Sequence, residues 1–273
     1  MLKINMTRKQ TYTLLSVLAV ILFYIINDVI DNNNLIEHNT KNTDYSETES
    51  TSYLPTSTTG IIVRHEFYTL SYNETHEQAE WVAYNLKTEH LSKNQFKRPY
   101  FISDHKVKTK SADWRNYKNS GYDKGHLCPA ADRKFSKSAH DATFLTSNIS
   151  PQQHDFNAGI WNRLEQKTRY WANKHDGVFV VAGGVLKNTS QTIGHEEVSV
   201  PKYFYKILYD DSSSNKKMIA FLIPHQESDK GLHQFVVSVD EIESITGIDF
   251  FSTLNDHEEA KLEANSNYNN WRF

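Results

Sequence analysis

Ser120-Gly121-Tyr122-Asp123-Lys124-Gly125-His126-Leu127-Cys128-Pro129-Ala130-Ala131-Asp132 is the densest chemical signal in this 273-residue chain. Glycines before and after a short Asp-Lys pair point to tight backbone geometry where something approaches closely. His126 follows Lys124 in the same short segment, a titratable ring beside a fixed positive charge. A lone histidine is more often structural than catalytic, so this stretch alone leaves both readings open.

A second signal lies downstream, from Thr146 to Gln166, read as TSNISPQQHDFNAGIWNRLEQ. Pro151 breaks the chain, and Asn157 to Glu165 then has helical spacing. At about 100° per residue, Asn157, Trp161 and Glu165 spread over roughly 80° of arc and share one helix face. Ile160 and Leu164 can pack inward beside Trp161. By itself this reads as an amphipathic helix whose Asn and Glu merely face water.

Upstream, Lys93, Lys97, Arg98, Lys106, Lys108, Lys110, Arg115 and Lys118 face only Asp104 and Asp113, with Tyr100, Phe101, Trp114 and Tyr117 interleaved. Basic residues with aromatics suit a surface for a phosphate backbone. The plain alternative is a solvated loop whose aromatics anchor it to the core. The formal net charge of the chain is -3, so any attraction for phosphate comes from such a local patch and not from the whole molecule. Cys128 is the single cysteine, which excludes an intramolecular disulfide and a cysteine-rich zinc site. The 13 histidines include no HExxH pair. Cys128 itself reads as a small buried residue and not as a nucleophile.

Further out, the chain divides into three. In residues 1–30, Lys3, Arg8 and Lys9 precede an uncharged run from Thr11 to Asn27 with an apolar centre from Leu14 to Phe23. No small-x-small cleavage site follows, so the pattern predicts an uncleaved signal anchor, a membrane helix with the remainder translocated. Secretion after cleavage is the alternative. Residues 31–60, rich in Asn, Thr and Ser, read as a disordered tether. Residues 61–273 read as one globular domain. There, Ala79, Val82, Ala83 and Leu86 predict a helix over His76 to Leu86. Phe179 to Ala182, Tyr203 to Tyr209 and Met218 to Ile223 predict strands, and Pro224 ends the last. Val239 to Ile245 predicts a short helix stopped by Gly247. Strands and helices mix without regular βαβ alternation, so the expected class is α+β.

Together the two motif segments resemble the DNA/RNA non-specific endonuclease family, whose ββα-metal (His-Me finger) site is built from a strand, a loop and a helix. The resemblance runs from about Glu66 to Pro224 and includes Trp81 to Tyr84, VFVVAGGVL, VPKYFYKIL and FLIP. The family's Asp-Arg-Gly-His core stands here as Asp123-Lys124-Gly125-His126. Its second element is present as Ser147-Asn148, Pro151-Gln152, Asn157, Trp161 and Leu164-Glu165. The resemblance implies an α+β domain with a central mixed or antiparallel sheet. It implies that His126 is the general base, which suits an imidazole titrating near neutrality. It makes Asn157 the metal ligand and Glu165 the acid that orients metal-bound water, with Asn148 a polar contact of the site. Arg98 matches a second arginine of the family. The implied cofactor is one Mg²⁺, which keeps several waters of its own, with Mn²⁺ as a substitute. The implied substrates are DNA and RNA, cleaved to leave 5′-phosphates. The oligomeric state is open, and a homodimer is compatible with the sequence.

One position departs from the family pattern: Lys124 replaces arginine. Lysine keeps the charge but loses the planar bidentate fork. Three readings follow. The domain is an active extracytoplasmic nuclease, a nucleic-acid-binding protein weakened by Lys124, or a phosphodiesterase for a small substrate.

Overall fold

The computed structural model describes residues 53–212 and 216–273. In chain order the strands are β1 (Ile62–Arg64), β2 (Thr69–Asn73), β3 (Gln78–Leu86), β4 (Asp123–His126), β5 (Ile149–Gln152), β6 (Val178–Gly184), β7 (Thr192–Ile193), β8 (Val198–Ser199), β9 (Tyr203–Asp210), β10 (Lys217–Pro224) and β11 (Val236–Val237). The helices of two turns or so and longer are α1 (Lys137–Ala142), α2 (Asn162–Lys174), α3 (Val239–Thr246) and α4 (Asp256–Glu263). Seven strands form the main sheet in the order β1-β2-β3-β6-β9-β10-β11. All its neighbours are antiparallel, which settles the sheet as antiparallel within an α+β fold.

The centre of this sheet is buried on both faces. Val178, Val180 and Ala182 of β6 join Leu208 of β9 and Ile219, Phe221 and Ile223 of β10 in one core, closed by Trp161, Leu164, Trp171 and Ala172 of the α2 region. Phe179, Val181, Ile207, Tyr209, Met218 and Ala220 point the other way, against Val239 and Ile242 of α3, Phe250 and Phe251 of the connection after it, and Leu262 of α4. This period of two is the pleat of a strand. The predicted strands at 179–182, 203–209 and 218–223 are those of β6, β9 and β10. The predicted helix at 239–245 is α3, whose Ser238 side chain accepts from the Glu241 amide and whose Gly247 takes φ 79° as the left-handed stop.

His76 to Leu86 is not a helix. Nine residues of it are β3, all buried except half-buried Asn85. The register slips at a bulge: Ser71 pairs with Trp81 but Tyr72 pairs with Ala79, so Glu80 is the extra residue. The bulge turns Ala79 and Val82 to the same core, while Trp81 and Ala83 face the opposite one. An i, i+3 apolar pair on a doubly buried strand therefore imitates helical spacing.

The folded unit also begins before residue 61. Tyr53 and Leu54 pack on the α3–α4 side, the Thr56 carbonyl accepts from Trp81 Nε1 at 2.8 Å, and the Thr58 amide donates to Glu80 at 2.9 Å. At least this end of the expected 31–60 tether belongs to the domain. The expected anchor of residues 1–30 and the rest of the tether lie outside the described residues. Among the described residues, no helix is long and apolar enough to cross a membrane.

Candidate active site

β4 and β5 form a two-stranded ladder of their own, pairing Asp123 with Gln152, Gly125 with Ser150 and His126 with Ile149. A short helical turn at His154–Phe156, a π-turn at Asn157–Trp161 and then α2 follow directly, giving strand, strand and helix in one unit. Gly125 is required by a close approach: a Cβ there would lie 2.2 Å from the Gln152 side chain. Glycine thus lets β5 sit close against the segment that carries His126.

His126 is held among rings, with its centroid 5.5 Å from Phe101 and 5.0 Å from Phe144. Its Nε2 is buried and has no protein hydrogen-bond partner. Burial, then the charge of Arg98, then His140 lower its pKa to about 3, so the ring is neutral at working pH. Arg98 lies 5.4 Å from the Phe101 ring and 5.6 Å from Phe144. Lys124 lies 5.6 Å from the same Phe101 ring and 5.7 Å from Tyr117. Burial and then Arg98 lower the Lys124 pKa. Two cations and a neutral imidazole thus converge on one aromatic floor, drawn from the basic stretch and from β4.

Asn157 is fixed from the same strand. Its Nδ2 donates to Asp123 Oδ2 at 3.0 Å, and His154 Nδ1 lies 2.9 Å from that oxygen. This leaves Asn157 Oδ1 as the side-chain atom that can hold a cation. Among the described residues, the converging groups of three or more His, Cys, Asp or Glu comprise only Asp240, Glu243 and Glu263, away from this ladder. The donor set therefore fits a hard cation that keeps most of its own waters, such as Mg²⁺.

Glu165, two turns beyond Asn157, is desolvated, and burial raises its pKa to about 7 against the opposing pull of Lys206. Lys206 is fully buried in the middle of β9, with Nζ 4.8 Å from the Trp161 ring and no hydrogen-bond partner. The third charge near Glu165 is Asp132, which accepts from Arg169 at 2.8 Å and from Tyr84 at 2.8 Å. Lys206, Arg169, Asp132 and the orienting Asp123 were not among the expected site residues. A lysine inside the apolar run Tyr203 to Tyr209 was the available signal for the first.

Asn148 is placed differently from the expectation of a site contact. It is fully buried, its Oδ1 accepting from the Cys128 amide at 2.8 Å and its Nδ2 donating to the Cys128 and Thr143 carbonyls at 2.9 Å each. It clamps the backbone that follows His126. Cys128 is buried with its thiol pushed up to about 12 by desolvation, as expected of an inert residue. Nor do Asn157, Trp161 and Glu165 lie on one regular face. The π-turn, with Gly159 at φ −93° and ψ −107°, interrupts the count; Trp161 is wholly buried while Asn157 and Glu165 are partly buried.

The model of the DNA/RNA non-specific endonuclease family matches residues 46–257. The chain belongs to the DNA/RNA non-specific endonuclease family. Within it, the mitochondrial nuclease EXOG of Danio rerio is 37% identical over 208 residues, which are 69% of this chain and 61% of the relative. A nuclease of Nostoc is 34% identical over 212 residues, covering 72% and 75% of the two chains. Human mitochondrial endonuclease G is 31% identical, covering 69% of this chain and 69% of its own. A chain of the crystal structure of the EndoG/EndoGI complex superposes with a TM-score of 0.66 at 29% identity, over 71% of this chain and 86% of that one. The family is one of nucleases, hydrolases that act on nucleic acids. The chain spans about three fifths of the zebrafish relative's length. The expected extracytoplasmic, membrane-held location does not stand. The EXOG and endonuclease G relatives are mitochondrial nucleases by name.

Proposed function

We propose that this protein is a metal-dependent endonuclease that hydrolyses phosphodiester bonds of DNA and RNA without strong sequence specificity. The observation that carries the reading is the convergence of neutral His126 with Arg98 and Lys124 on the Phe101 floor, next to a strand that also holds Asn157 through Asp123.

His126 takes a proton from water as the water oxygen attacks phosphorus. Burial keeps the ring neutral, so a nitrogen lone pair is available for that proton; a substrate phosphate beside the ring would raise its basicity toward the working pH. The phosphorus–O3′ bond breaks and the departing oxygen takes a proton from solvent water, leaving a 3′-hydroxyl and a 5′-phosphate. Arg98 and Lys124 supply fixed positive charge beside the non-bridging oxygens, where charge accumulates. Lys124 does so as a point charge without the bidentate fork. Asn157 Oδ1 would hold the cation, since Asp123 takes the amide nitrogen and leaves the oxygen free to bind. When bound, a Mg²⁺ ion neutralises charge on the leaving oxygen and on phosphorus. Glu165, as an anion, accepts a hydrogen bond from water at the site.

The test is nicking of supercoiled plasmid and cleavage of a structured RNA by the full chain, with Mg²⁺, with a chelator, and with His126→Ala. The expected result is cleavage of both polymers that needs the metal and falls roughly a thousandfold in the variant. Unchanged cleavage by His126→Ala would remove the general base assigned here. A folded protein that binds both polymers and cuts neither would leave a binding role.

A further inference from the structure

The aromatic floor of the site has a second side. Phe101, with its ring centroid 5.5 Å from that of His126, also lines a cleft of about 420 Å³ that takes in Ile102, His105, Lys110, Asp113, Trp114 and Glu196. That volume is within the range of small-ligand clefts, roughly 300–1,000 Å³. Ile102 and Trp114 are 58% and 40% exposed, both large apolar groups turned to solvent at its rim. The backbone beneath them is fixed. Ile102 bridges to Leu145. Trp114 opens a 3₁₀ turn capped by Asp113, whose carboxylate takes Arg115 Nε and Nη2 at 2.8 Å each. Glu196 accepts from the Asp113 amide at 2.7 Å.

The charges of this cleft decide what it takes. Asp113 and Glu196 line it together with His105 and Lys110, and Asp113 is already paired with Arg115, so its lining carries no excess of positive charge to hold a phosphate, whereas Arg98 and Lys124 stand around Phe101 and attract one. A flat, uncharged ring attached to a phosphate is the ligand that satisfies both sides. On the nuclease reading above, we infer that this cleft is a base-binding subsite, in which an unpaired nucleobase next to the scissile phosphate stacks on Trp114. A base locked in a duplex presents only its edge, so the subsite favours single-stranded DNA or RNA and locally opened strands. Stacking on an aromatic face is tolerant of sequence, because every base has a π-face.

The sequence contains five tryptophans, and Trp81, Trp161, Trp171 and Trp271 are each fully buried, so Trp114 alone is open to solvent. Its fluorescence therefore reports the subsite. In full-length His126→Ala with Mg²⁺, a short oligothymidylate is expected to quench the accessible fraction of tryptophan emission to saturation. The same strand with abasic residues, which keeps the phosphates, is expected to bind without quenching. A duplex of equal length is expected to quench less. His126→Ala combined with Trp114→Phe is expected to lose the signal. In the otherwise unaltered chain, Trp114→Ala is expected to raise KM for the single strand roughly tenfold, with Trp114→Phe restoring most of it. Oligonucleotide binding, followed by anisotropy, that leaves tryptophan emission unchanged would overturn the subsite, as would equal quenching by the abasic strand. These results do not depend on whether Trp114→Ala folds well. Failure of the parent chain to cut any polymer would count against the nuclease reading, whatever the fluorescence shows.

Discussion

Asn148 and Asn157 stand on either side of β5, and their surroundings differ in kind. Asn148 is sealed from solvent with every hydrogen-bonding group of its amide engaged by backbone. Asn157 is only partly buried, with its nitrogen held by Asp123 and its oxygen left to accept. On the proposed mechanism the same side chain thus serves as a clamp on one side of the strand and as a ligand on the other. What separates them is how many of the amide's groups the protein itself satisfies. A buried polar group with all its partners fixes the backbone. One held by a single partner is aimed but still able to bind.

Three measurements would break or sharpen that contrast. The largest effect is expected from Asn157→Ala, which should lower cleavage roughly a thousandfold, about the several kcal/mol that charge neutralisation by one cation contributes. Its melting temperature should stay near that of the parent. A large loss of stability would make Asn157 a second clamp. Asn148→Ala should do the reverse, because it strands the Cys128 amide and two carbonyls in a dry site. The expected cost is about 3 kcal/mol of unfolding free energy by urea titration, with activity lost mainly as the fold is lost. An undiminished urea midpoint would remove the clamp. The smallest effect concerns pH. Glu165 must be an anion to accept from water, and its pKa, raised to about 7 by burial, means that it gains a proton as pH falls through neutrality. His126, lowered to about 3, stays neutral across that range. Activity should therefore drop about tenfold per pH unit on the acid side of 7, and Glu165→Gln should show a flat profile there. A limb that persists in Glu165→Gln belongs to another group.

The chemistry of this contrast was partly visible in the sequence. The two motif segments name His126, Lys124, Asn157 and Glu165, and the structure joins them in one strand–strand–helix unit because they are close along the chain. β6, β9, β10 and α3 were legible because each is a short apolar run or an apolar stripe with a clear stop. β3 was misread because a bulge at Glu80 puts Ala79 and Val82 on one face at helical spacing. A bulge is set by register with β2, which no local pattern reports. The π-turn at Gly159 escaped for the same reason. The division of labour between the asparagines was also illegible, since it depends on which backbone groups of Cys128 and Thr143 fold back onto Asn148. Lys206 stood in plain view inside β9, but its meaning comes from Trp161 and Glu165, which reach it from another part of the chain.

Cys128 carries a practical consequence. Its thiol is fully buried and held at a pKa of about 12, so maleimide and methanethiosulfonate reagents will not find it in the folded protein. A cysteine engineered onto the surface would then be the only reactive thiol, with no native residue to remove first. Spin labels or dyes placed in pairs across the cleft beside Trp114 would report whether its width changes when a substrate strand binds.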